Sequence, residues 1–362
     1  MTRFSSLKLF HLIILPLILI SAQVTHGASL SETYKNDVDI SKDASVLFSS
    51  DFESDLTGWS NVSWADPGIA TQSELIKVIN SPTTANGGNK FLESKVTKSQ
   101  LKVNGGSYQY ISAQVQHKLS APADTIYVRF YTRYVGLTET PHHWIRVAAG
   151  NGAGGQSNTL PNGNSAFWFN LDPDDSGNLK FYAYWYKMKS GRCENGTAIP
   201  GCAGDQGYTY YYGNTFNPAN QTAFPRDKWF CIEYMAKANT VGANDGELAL
   251  WKDDKLVGEY KTGTPVGHWR RDAFLTFGQW YNPTTFGSYP FEGFNFRSSA
   301  NVKFSYISVD AYYQRDTTTN TNAPEAQTID YDDFVIANKR IGCKVPLMSQ
   351  PNPPSDGKII YK

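Results

Sequence analysis

Residues 126–134 read Ile-Tyr-Val-Arg-Phe-Tyr-Thr-Arg-Tyr, and residues 179–188 read Leu-Lys-Phe-Tyr-Ala-Tyr-Trp-Tyr-Lys-Met. Side chains of a strand alternate between its two faces. The first stretch then places Tyr127, Arg129, Tyr131 and Arg133 together, opposite Val128, Phe130 and Tyr134. The second places Lys180, Tyr182, Tyr184 and Tyr186 together, opposite Leu179, Phe181, Ala183 and Trp185. One face of each strand suits a core. The other is a row of rings and cations, and two such rows suggest a groove for a polyanion, because flat rings stack on sugars and guanidinium groups grip carboxylates in pairs. The alternative is a solvated face whose Tyr and Arg serve strand propensity and cross-strand pairing.

The same alternation recurs outward from these stretches. Short runs broken by Gly, Asn, Asp and Pro predict strands over 46–52, 90–95, 108–118, 142–148, 165–171, 229–239, 246–252, 255–261, 272–280, 302–313 and 329–340. Lys252-Asp253-Asp254-Lys255 is a hairpin turn between two of them. No window keeps helical periodicity over three turns. The expectation is an all-β, single-domain jelly-roll sandwich of two curved antiparallel sheets over residues 46–343, with a flexible lead-in at 28–45 and a Pro-rich tail at 344–362.

The first 27 residues read as an export signal: Arg3 and Lys8, then an apolar run from Leu9 to Ala22 interrupted by Pro16. The mature chain is expected to be secreted or periplasmic and monomeric. A formal net charge of zero gives no bulk attraction to nucleic acid or membranes, so affinity for an acidic ligand must come from a local cluster. Four cysteines suit an oxidising compartment, and of the three connectivities open to them Cys193–Cys202 with Cys231–Cys343 is favoured. No C-x₂-C spacing suggests zinc.

Three segments carry a resemblance. They are Leu47-Phe48-Ser49-Ser50-Asp51-Phe52-Glu53; Lys228-Trp229 with Asp245-Gly246-Glu247-Leu248-Ala249-Leu250-Trp251 and Lys255-Leu256-Val257; and Asp332-Asp333-Phe334-Val335-Ile336-Ala337. Their order resembles the concanavalin A-like lectin/glucanase superfamily, and within it the jelly-roll polysaccharide lyases of the alginate and glucuronan lyase kind. The resemblance spans roughly residues 46–342. It implies a sandwich whose terminal strands are neighbours and whose concave sheet carries the reactive residues. The superfamily also contains lectins and hydrolases, so these motifs speak to fold more than to function.

β-Elimination from a uronic acid polymer needs a cation or amide on the carboxylate, a base for the C5 proton and an acid for the leaving oxygen. Arg129, Arg133 and Arg146 are candidate neutralisers. His142, His143, Lys187 and Tyr184 are candidate bases, and Tyr131, Tyr182 and Tyr186 candidate acids. Of these, His142, Tyr184, Lys187 and Arg129 are assigned the catalytic roles; Tyr127, Tyr131, Arg133, Arg146, Tyr182, Tyr186, Gln279 and Tyr281 are assigned to an acidic polysaccharide or oligosaccharide. In Pro-His-His-Trp-Ile-Arg-Val, strict alternation sends His143 to the core with Ile145, and His142, Trp144 and Arg146 to the groove. His268-Trp269-Arg270-Arg271 is a second basic–aromatic cluster. The function expected is an exported lyase, with a non-catalytic carbohydrate-binding protein as the alternative. A glycoside hydrolase is a weaker alternative, because the E-x-D-x-x-E run of a retaining glucanase is missing. No cofactor is required. Asp51, Glu53, Asp332 and Asp333 could together hold a structural Ca²⁺, or simply protect edge strands.

Overall fold

The computed structural model describes residues 28–100, 110–136, 140–151, 159–174, 176–191, 211–221, 223–276, 287–313 and 326–345. The segment expected to be an export signal, Cys193, Cys202, Gln279, Tyr281 and the tail from 346 lie outside them. In chain order the strands are β1 Val46–Ser50, β2 Ser60–Asn61, β3 Trp64–Ala65, β4 Ile76–Asn80, β5 Lys90–Thr97, β6 Ile111–Ala123, β7 Thr125–Val135, β8 His143–Gly150, β9 Ala166–Pro173, β10 Leu179–Tyr184, β11 Asn214–Phe216, β12 Phe230–Lys237, β13 Glu247–Lys252, β14 Lys255–Tyr260, β15 Val266–Arg270, β16 Ala273–Thr276, β17 Tyr289–Pro290, β18 Phe304–Tyr313 and β19 Ala326–Ala337.

They form two sheets packed as a jelly-roll sandwich. The first runs β14-β13-β12-β7-β19-β5-β4, with β1 paired to β19; the second runs β17-β15-β16-β11-β10-β9-β8-β18-β6-β2, with β3 paired to β6. Among the described strands all the pairings are antiparallel except β11 with β16. The terminal strands β1 and β19 are neighbours, as expected. The β13–β14 hairpin turns on Asp253 and Asp254, both left-handed, which matches the twist of a two-residue hairpin.

Alternation works on β7, where Ile126, Val128, Phe130, Thr132 and Tyr134 are all fully buried between the sheets. Across the interior Trp144 meets Phe130 edge-on at 5.5 Å and donates its indole N–H to the Tyr331 hydroxyl at 2.7 Å. The pair fixes the spacing of the two layers, because each polar tip satisfies the other.

The outer face of β7 is no groove. Arg129 is fully buried and donates to the Asp333 carbonyl at 3.0 Å and to the Asp37 carboxylate at 2.5 Å. Arg133 grips Asp330 through Nε at 2.9 Å and Nη2 at 2.6 Å, its guanidinium over the Trp229 ring. The Tyr131 hydroxyl accepts the Lys344 backbone N–H at 2.8 Å, and Tyr127 packs on Trp251. The cations of this row are thus consumed by carboxylates of the chain itself. The lead-in supplies one of them. It is packed rather than loose: Leu30 and Ile40 are buried, and Leu30 and Ser31 donate to the carbonyls of Arg340 and Ile341. The Cys231–Cys343 disulfide, with Cα atoms 6.0 Å apart, clamps the C-terminal stretch over the same face as expected.

Nor do Asp51, Glu53, Asp332 and Asp333 fit a shared calcium ion. Lys344 Nζ lies 2.5 Å from Asp333, Asn86 donates to both Asp332 and Asp333, and Glu53 accepts the N–H groups of Asn89 and Lys90. Among the described residues no three His, Cys, Asp or Glu side chains converge to hold a metal. Burial and the neighbouring Asp333 push the Asp332 carboxyl above its ordinary range.

Candidate functional site

The outer face of the second sheet is where chemistry-bearing residues converge. The pairing aligns Ser308 of β18, Arg146 of β8, Asn170 of β9 and Tyr182 of β10 in one row across the strands. Beside it Tyr312 of β18 pairs with His143 of β8. Phe169, Leu171 and Phe181, of opposite parity, are buried in the core.

Arg146 anchors this face. Its guanidinium lies 2.9 Å from Asp310, donates to Asn170 Oδ1 at 3.3 Å and sits over the Trp168 ring at 5.0 Å. Asp310 also accepts the Ser112 hydroxyl at 2.6 Å. Asn170 is fully buried, and its Nδ2 is a donor without an acceptor. A buried N–H left unpaired costs about 1–3 kcal/mol, so Asn170 is held in this row against a cost to stability.

His143 faces the same space, against strict alternation. The β8–β9 ladder ends at Ile145, and beyond it the Asp172 carboxylate takes over: Oδ1 accepts the Trp144 N–H at 2.9 Å, and Oδ2 lies 3.1 Å from His143 Nδ1. On the other side the register with β18 slips between Val309 and Tyr312. The irregularity turns Trp144 into the core and His143 outward, reversing the orientations expected for both. Sequence parity has no means of seeing it. The signal that existed was Asp172, a buried carboxylate near the end of β9 that faces the histidine.

Aromatic rings surround the histidine. Tyr312 stacks on it at 5.8 Å, Tyr182 lies at 5.2 Å and Trp168 at 6.0 Å. Tyr184 stacks on Trp168 at 4.6 Å. The Tyr182 ring lies against Gly213, where a Cβ would collide with it and where φ is +99°. Burial, then the adjacent Tyr184, raise the Tyr182 hydroxyl well above the ordinary tyrosine range; Asp172 and Asp272 add to the effect. Burial pushes Tyr312 up to about 12. Both phenols therefore stay protonated at neutral pH. Near Asp272 a cavity of about 840 Å³ opens, lined by Asp174, Asn178, Arg270 and Arg271 among others.

The expected residues divide accordingly. Arg146, Tyr182 and Tyr184 come together here, and His142 stands exposed at the rim, its ring 4.3 Å from His143. Tyr127, Arg129, Tyr131 and Arg133 belong to the other sheet, so the two aromatic rows do not share a groove. Tyr186 and Lys187 lie past the end of β10: Trp185 turns inward to Asn214, and the Lys187 ammonium sits over the Tyr186 ring at 4.2 Å. Asn170, Asp172, Trp168 and Tyr312 were missed.

No family model matches the chain, and no curated protein matches it. Among solved structures it is similar to a marine PL-14 alginate lyase from Aplysia kurodai, at 13% identity and TM-score 0.45, covering 82% of this chain and 100% of that one. It is similar to an endo-β-1,4-glucuronan lyase from the fungus Trichoderma reesei at 12% identity and TM-score 0.43, covering 81% and 96%. A third similar structure is alginate lyase vAL-1 from Chlorella virus, at 14% identity and TM-score 0.42, covering 72% and 88%.

Proposed function

We propose that this chain is an exported polysaccharide lyase that cleaves an acidic, uronic acid-containing polysaccharide by β-elimination on the outer face of its second sheet. The observation that carries the reading is the unpaired, buried Asn170 Nδ2 beside Arg146, on a face that also presents His143, held by Asp172, and the protonated Tyr182. Asn170 and Arg146 take the substrate carboxylate and so acidify the C5 proton. With Nδ1 turned to Asp172, Nε2 of His143 is the nitrogen left to accept that proton. The C5–H electron pair forms the C4–C5 double bond, the C4–O4 bond breaks, and Tyr182 gives its proton to the leaving oxygen. The disulfide suits an oxidising compartment.

A second reading has one observation in its favour. Asp310 already opposes the Arg146 charge, which suits a face that binds sugars without reacting. Incubation with alginate, glucuronan and related polymers separates the two. The lyase reading expects ultraviolet absorbance from an unsaturated product, lost in His143→Ala. Binding without absorbance or new reducing ends establishes the binding protein, and reducing ends without absorbance establish a hydrolase.

A further inference from the structure

Trp64 sits in the two-residue strand β3 and leaves 46% of its surface exposed, although it is the largest apolar side chain type. It takes no part in the core, yet it is held. The strand pairs with β6 through Trp64–Ser112 and Ala65–Ile111. Asp66 closes the loop, accepting the Tyr110 N–H at 3.0 Å while its own N–H donates to the Tyr110 carbonyl at 3.2 Å. The Trp64 ring lies 5.7 Å from Tyr312, and Tyr110 is parallel to Tyr312 within 8° at 6.4 Å.

These rings continue the site. Trp64 pairs with Ser112, Ser112 with Tyr312, and Tyr312 with His143, so one row crosses β3, β6, β18 and β8 at right angles to the strands. The ring-to-ring steps, 5.7 Å from Trp64 to Tyr312 and 5.8 Å from Tyr312 to His143, put the indole no more than about 11 Å from the base, a distance of about two sugar residues. We propose that Trp64, backed by Tyr110 and Tyr312, is a stacking platform for a distal sugar ring of a polysaccharide chain that crosses the second sheet perpendicular to its strands. The C–H face of the sugar lies on the indole and buries apolar surface that the fold leaves exposed. The contact selects for chain length and not for charge. The inference rests on the proposed function in that both place a polysaccharide on this face.

The test measures affinity for a length series of oligosaccharides, prepared from whichever of alginate or glucuronan the protein binds, in the His143→Ala background so that the ligand survives. Two salt concentrations are used. Trp64→Ala is expected to leave the shortest oligomers unchanged and to weaken those long enough to span the row by about five- to tenfold, independently of salt, with Trp64→Phe retaining most of the affinity. In the wild-type background the same variant raises KM for long chains with kcat little changed. Leu256→Ala, exposed on the other sheet, serves as the control. An unchanged length profile in Trp64→Ala, or an equal loss at every length, overturns the platform while leaving the lyase reading intact. Failure of the protein to bind either polymer at any length overturns both.

Discussion

Asp172 fixes His143 through the Nδ1 contact at 3.1 Å and, with its other oxygen, takes the N–H of the next residue, Trp144. One carboxylate thus sets both the ring orientation of the candidate base and the break in the strand that exposes it. Asp172→Asn keeps an acceptor for the Trp144 N–H but presents an amide N–H to the imidazole, favouring the wrong tautomer. Turnover of a responsive polymer is expected to fall at least about a hundredfold with KM little changed and thermal stability nearly kept. Unchanged kcat would remove His143 from the role of base.

Asn170→Ala removes the donor that waits for an acceptor. Loss of one charge-assisted contact costs about 2 kcal/mol, roughly a thirtyfold drop in kcat/KM. The same change removes the Oδ1 that accepts from Arg146 Nε and empties a buried site, so unfolding by denaturant should show a loss of about 1–3 kcal/mol beside it. A large stability loss with intact kcat/KM would make Asn170 a packing residue.

Arg129→Ala is expected to act in the opposite sense. It removes a fully buried cation and strands the Asp37 carboxylate and the Asp333 carbonyl. Breaking one side of such a pair costs about 3 kcal/mol of stability. The fraction that remains folded should turn over substrate normally, measured by activity per folded molecule.

Stability should also depend on pH through Asp330. Burial outweighs the Arg133 ion pair and lifts its carboxyl to about 6, with Oδ1 lacking any partner. The folded state therefore holds this proton more firmly than the unfolded chain, whose value is about 4. The contribution is fully present below about pH 4 and is lost as pH rises through about 6. Asp330→Asn, which mimics the protonated form, should flatten that part of the profile in urea titrations. An identical slope in wild type and variant would contradict it.

Reduction of Cys231–Cys343 opens a loop across 112 residues of sequence. Chain-entropy arguments give about 4–5 kcal/mol for a loop near this length. Cys343→Ser should lower the unfolding midpoint and raise hydrogen exchange at Lys344, whose N–H rests on the Tyr131 hydroxyl.

The strands were legible where alternation was strict and long, as on β7, β12, β13 and β18. The short strands β2, β3, β4, β11, β15 and β17 were not, since two to five residues give no period to count. Arg146 and Tyr182 were legible as groove residues by parity. The Arg129 row failed for a different reason. Parity identifies a face of a strand but not what covers it, and the partners Asp37, Asp330 and Lys344 come from distant parts of the chain. His143 failed because a bulge shifts parity by one, and the carboxylate that stabilises the bulge is 29 residues away.

The position of β19 has a consequence for how the molecule is made. This strand, beginning at residue 326, lies between β7 and β5 and also holds β1. The first sheet cannot close while β19 is still within the ribosome: until then β7 and β5 have no common neighbour. Assembly of this layer thus waits for its last strand and is built on pairings that span hundreds of residues and form slowly. Until then β7 can pair with β12 on one edge alone, so its other edge stays open to any strand that reaches it first.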